Sequence, residues 1–175
     1  MKKLGNRMLA IGLISTMLCF TTACQTWPTI IAVAQSASAV TSVFYPSVGA
    51  FSSLAVNLLQ QAEAAYNTYE ANKTEGNAAA YVAVIQQIET ELPADLNSLN
   101  IPLADQTKVS AVVTIILDFV EAEAAQVPAS AKIVTDARMA RVHRPVPKPM
   151  TKKQIIDRWQ LDVCRGDQHC NSLVK

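Results

Sequence analysis

The sequence predicts a mainly α fold, a small up-and-down bundle of three or four helices. Three observations predict it. The chain is 50% hydrophobic but holds only five glycines and 6% aromatic residues. Much of its apolar content is Ala and Val, which favours helices over a β-sandwich. Apolar residues then recur at steps of three and four through long stretches joined by short connections, as antiparallel helices require. A proline-rich spacer and a short C-terminal helix with a disulfide-closed loop complete the expected architecture.

The elements follow in order. Residues Thr29 to Tyr45 are apolar and rich in small side chains, which permit close helix approach. Tyr45-Pro46 should break this helix, because proline lacks an N–H and restricts its predecessor. From Ser47 to Ala71, the positions Val48, Phe51, Leu54, Ala55, Leu58, Leu59, Ala62 and Tyr66 mark one helical face. Residues Asn72 to Asn77 read as a turn. Ala78 to Leu92 places Tyr81, Val84, Ile85 and Ile88 on one side, with Pro93 expected to end the helix. Leu96 to Pro102 is a connection. Asp105 opens a helix through Ala125, whose seam runs Val109, Val112, Val113, Ile116, Phe119, Val120 and Glu123. A weaker helical piece, Ala129 to Arg141, precedes a stiff spacer from His143 to Pro149, where Pro145, Pro147 and Pro149 alternate. Thr151-Lys152-Lys153-Gln154 has the form of a capping box opening a last helix, with Ile155, Ile156, Trp159 and Val163 as its apolar face. Cys164 to Cys170 reads as a terminal loop.

The N-terminus has the layout of an export signal. Lys2, Lys3 and Arg7 precede an apolar run from Met8 to Phe20, followed by Thr21-Thr22-Ala23. The run is shorter than the ~20 residues of a spanning helix, so a cleaved leader is expected rather than a permanent anchor. Thr21-Thr22-Ala23-Cys24 resembles the bacterial lipobox, with Thr21 standing where that pattern usually has an aliphatic residue. The resemblance implies cleavage before Cys24 and acylation of Cys24, palmitate being one of the chains. It implies a membrane partner through the N-terminal anchor and a place in the cell envelope. Gln25 rather than Asp after the cysteine implies the outer membrane, facing the periplasm, if the host sorts as enterobacteria do. Without use of the lipobox the protein would be secreted.

The expected organisation is therefore a signal over 1–23, an acidic helical bundle over 24–127, a basic linker with the proline spacer over 128–150, and a C-terminal helix with its loop over 151–175. An exported chain meets an oxidising compartment, so Cys164 and Cys170 are expected to pair, with free thiols as the alternative. A metal site built from Cys164, Asp167, His169 and Cys170 is a further alternative that matches no familiar zinc spacing. Arg165-Gly166-Asp167 in the same loop resembles the cell-adhesion tripeptide, a match of three residues that chance also produces.

Charge is segregated. No charged residue occurs from Met8 to Ala62. From Cys24 to Val127 ten carboxylates face only Lys73 and Lys108, whereas from Pro128 onward ten Lys and Arg face four Asp. The formal net charge of +1 hides this split. Arg138, Arg141, Arg144, Lys148, Lys152, Lys153 and Arg158 are the candidate contacts for an anionic lipid surface or cell-wall polymer. The other reading is that this basic tail folds onto the acidic bundle. Nucleic acid is not expected after export, and the stretch lacks interleaved aromatics.

No catalytic motif is present. The chain has no nucleophile elbow, zinc-protease helix, phosphate loop or dinucleotide fingerprint, and both histidines, His143 and His169, lie in the tail. A non-catalytic structural or interaction module with no cofactor is expected, its protein partner unspecified. Two alternatives stand beside it. One is a module holding a small apolar ligand among Phe51, Tyr66, Tyr81 and Phe119. The other is a cell-wall tether through the C-terminal Lys175.

Overall fold

A computed structural model of the chain describes residues 26–42, 45–127 and 148–175. The signal segment with Cys24, the helical piece over 129–141, most of the proline spacer, and Arg138, Arg141 and Arg144 lie outside the described residues. Every regular element among the described residues is helical. Helix α1 covers 26–35 and tightens into a 3-10 turn over Ser36–Val40. Helix α2 is Pro46–Ala71, α3 is Glu75–Ser98 and α4 is Leu103–Ala124. The short α5 is Lys152–Arg158, followed by a wider π turn over Trp159–Cys164, and α6 is Gln168–Asn171.

Side-chain contacts fix the direction of each helix. At one end Trp27 of α1 meets Tyr66 of α2 and Phe119 of α4, and Tyr66 meets Tyr81 of α3. At the other end Ser52, early in α2, donates to the carbonyl of Ala34, late in α1. Lys108, early in α4, donates to the carbonyl of Val40 at 3.0 Å. Helix α1 is thus antiparallel to both α2 and α4, and the short connections of α3 make it antiparallel to the same pair. This is an up-down-up-down four-helix bundle, and its core runs from Trp27 and Phe119 through Ile30, Leu59 and Ile85 to Val48 and Leu99.

The helix boundaries have local causes. Pro46 stands at the first position of α2, where its missing N–H costs nothing, after the extended Tyr45. The Thr74 hydroxyl accepts from the Asn77 N–H at 3.2 Å and caps α3. Helix α3 therefore starts at Glu75, inside the stretch read as a turn. Pro93 does not end α3, which continues to Ser98. Leu92 and Leu99 are buried and Leu96 packs on the core, so apolar burial on both sides outweighs the proline's cost of about 3 kcal/mol. The N-terminal helix differs too. It is already helical at 26, and its α-helical part stops at 35 instead of running to Tyr45. In the 3-10 stretch the Thr41 hydroxyl donates to the carbonyl of Ser38 at 2.9 Å, the local competition that small hydroxyl residues offer a helix. Ser42 then donates from its N–H and its hydroxyl to the two oxygens of the buried Asp105, at 2.9 and 2.7 Å, tying the turn to α4.

The C-terminal segment packs on α4. Thr151 and Gln154 form the reciprocal capping box that opens α5. Ile155, Trp159, Val163 and Val174 are buried and join the same core as the bundle. Cys164 and Cys170 form a disulfide with their Cα atoms 5.4 Å apart. The stretch between them is not wholly loop: Asp167 accepts from the N–H groups of His169 and Cys170 at 2.9 and 3.1 Å and so starts α6. From the turn before that ring the Trp159 indole donates to the carbonyl of Cys170 at 3.1 Å. Among the described residues no helix is long and apolar enough to cross a membrane.

Candidate functional site

Two regions carry most of the chemistry. The first is the basic segment. Lys148, Lys152 and Lys153 are exposed. Lys153 reaches Asp157 one turn on, at 2.6 Å, a solvated pair of small energetic weight. Arg158 is different. Its guanidinium turns inward onto Asp118 of α4 at 2.6 Å and also approaches Asp162 at 3.4 Å, so its charge is engaged within the protein. Of the four candidate cations among the described residues, one is brought onto the acidic bundle and three lysines face water. Asp118 stands in the later half of α4, six residues from Ala124, or about 9 Å along the axis. The basic segment is fastened near the bundle end that holds Trp27.

The loop residues have structural duties. Arg165, with φ of 48°, and Gly166, with φ of 92°, form the left-handed turn between the π turn and α6, and glycine suits the second position. Asp167 caps α6. The two sulfurs are bonded to each other, so neither is a thiolate ligand, and no group of three or more metal-ligating side chains occurs among the described residues.

The second region is the aromatic end of the bundle. The rings of Trp27 and Phe119 meet edge to face at 4.9 Å, and Tyr66 lies 6.1 Å from Trp27 and 5.6 Å from Tyr81. Phe119 and Glu123 are one helical turn apart on α4, so the Glu123 carboxyl enters the same box. It is 5% exposed and accepts from the Gln126 amide at 3.0 Å. Burial lifts its pKa from 4.5 to about 7, and the Gln126 hydrogen bond offsets only part of that. Both phenols respond to it. Burial and then the charges of Glu70 and Glu123 push Tyr66 up to about 12. Burial first, then Glu123, holds Tyr81 well above the usual phenol range. Two donors in the box have no hydrogen-bond partner, the Trp27 indole N–H and the Tyr81 hydroxyl.

Of the residues considered for an apolar ligand, Tyr66, Tyr81 and Phe119 come together around Trp27. Phe51 is buried farther along α2. Sequence reasoning placed Glu123 on the α4 seam without seeing a site in it; a carboxylate in register with Val109, Ile116 and Phe119 was the available signal. A shallow groove of about 480 Å³ lies between α1 and α2, lined by amide and hydroxyl residues including Gln35, Ser38, Asn57 and Gln60 and by no charged group. Compared with known proteins, the chain matches no protein family, no curated protein and no solved structure.

Proposed function

We propose that this chain is a non-catalytic lipoprotein of the bacterial cell envelope, held by a lipid on Cys24 to the outer membrane and facing the periplasm, where its bundle acts as a structural or interaction module. The observation that carries the reading is the short distance between anchor and fold. Trp27 is 2% exposed in the core, three residues after Cys24. Three residues span at most about 10 Å. A lipid on Cys24 therefore sets the aromatic end of the bundle against the headgroups with no spacer between. The basic segment, fastened to Asp118 near that same end, supports a contact between Lys148, Lys152 and Lys153 and anionic lipid or wall polymer.

Fractionation of the native host tests the anchor. The wild-type chain is expected in the detergent-soluble membrane fraction and to incorporate labelled palmitate. Cys24→Ser is expected to lose the label and to retain the leader. A Cys24→Ser protein with unchanged processing and lipid labelling would refute the lipoprotein reading.

A further inference from the structure

We propose that Glu123, boxed by Trp27, Tyr66 and Tyr81, is a proton-binding site whose ionisation loosens the docking of α1 at the end of the bundle nearest Cys24. The box draws on all four helices: Trp27 from α1, Tyr66 from α2 and Tyr81 from α3 in a chain of ring contacts, and Glu123 from α4, one turn from Phe119 and near enough to act on both phenols. What faces the carboxyl explains why a proton is held there. Helix α1 offers an indole and no charge. Helix α2 offers Tyr66, with Tyr69 and Glu70 beyond it, and Lys73 at that end is paired with Glu70 at 3.1 Å. Helix α3 offers the Tyr81 phenol, which stays neutral. On its own helix Glu123 has the neutral amide of Gln126. The raised value of about 7 accords with this surrounding.

Ionisation places a charge against aromatic rings with a single amide to solvate it. An isolated buried carboxylate is costly, and admitting water is the available relief. Water entering beside Trp27 would serve three groups at once, because the Trp27 N–H and the Tyr81 hydroxyl are both buried without partners. Trp27 packs edge-on against Phe119, one turn from Glu123, so water entering there separates α1 from α4 before it disturbs the other end. That other end is held independently, by Ser42 and Lys108 on Asp105 and Val40. The proton site stands on these contacts; only its position at a membrane rests on the anchor proposed above.

The two tryptophans give two indole N–H signals in a ¹⁵N spectrum of the full chain in detergent micelles, told apart with Trp159→Phe. The Trp27 signal is expected to titrate with a midpoint near pH 7. Its solvent protection, corrected for base catalysis, is expected to fall about tenfold across the transition. The Trp159 signal, held by the Cys170 carbonyl, should stay put. Glu123→Gln, nearly isosteric, should flatten the Trp27 titration. A Trp27 signal unchanged from pH 5.5 to 8.5, or one that titrates equally in Glu123→Gln, overturns the proposal. Should Glu123→Gln not fold, the wild-type titration alone decides. The readout does not depend on lipid at Cys24, so a failed titration and a failed fractionation remain separate results.

Discussion

At the scale of single residues, Glu123 ties the stability of the fold to pH. Its folded pKa of about 7 lies above the unfolded reference of 4.5, so the folded state binds the proton more tightly. That contribution is fully present below about pH 4.5 and is lost as pH rises through about 7. The shift corresponds to at most roughly 3 kcal/mol, less whatever local opening relieves. Glu123→Gln should therefore unfold in urea with a smaller difference between pH 5 and pH 8.5 than the wild type shows. At pH 8.5 the variant should be the more stable of the two. The other buried carboxylate of α4, Asp105, is a useful contrast. It receives two hydrogen bonds from Ser42 and works as a clasp, whereas Glu123 has one amide and two unpartnered donors nearby.

At the scale of elements, α3 carries a proline that its neighbours tolerate. Pro93 removes a hydrogen bond within Glu75–Ser98 while Leu92 and Leu99 hold the helix on the core. Pro93→Ala should restore that bond and raise stability by about 1–2 kcal/mol, the gain reduced because the variant's unfolded chain is freer. Thermal unfolding would register it. In the C-terminal element the disulfide and the Trp159–Cys170 hydrogen bond both hold Cys170. Replacing Cys164 and Cys170 with serine should cost about 2 kcal/mol, and limited proteolysis should then cut first around Arg165. What the sequence made legible in these elements was local. The Pro46 break and the Thr151–Gln154 capping box each depend on residues within a turn of one another. What it hid depends on distant partners. Pro93 looks like a stop until Leu96 and Leu99 are known to be buried. Trp27, beside Pro28 and ahead of the apolar stretch, reads as a flank until Tyr66 and Phe119 are found against it. The Glu123 site was half visible, since its place on the seam is periodic but its partners come from three other helices.

At the scale of the whole molecule, charge is sorted by side. Helix α1, its 3-10 turn and the first half of α2 carry no charge, and their outer groove is amide and hydroxyl. Carboxylates lie on the later α2, α3 and α4, and lysines on the segment tied to Asp118. Among the described residues of the basic tail, Arg158 is paired inward while Lys148, Lys152 and Lys153 face water. Changing those three lysines to glutamine should weaken sedimentation of the chain with anionic vesicles, and the wild-type binding should fall with added salt. The unfolding midpoint should move little, since none of the three is buried.

If the chain is exported as proposed, the burial of Trp27 so near the leader also bears on the order of events. Helix α1 supplies Trp27, Ile30, Val33, Ala34, Ala37 and Val40 to the core, and it directly follows the leader in the chain. On the proposed reading, α1 would stay tethered to residues 1–23 until cleavage, and the other three helices would lack their fourth wall until then. Tyr66 and Phe119 would then have no indole to close against. Under that proposal the arrival of α1 would be the step that completes the four-helix core. Cleavage before Cys24 would set the clock for that step, making the same short stretch both the address of the protein and the latch that completes it.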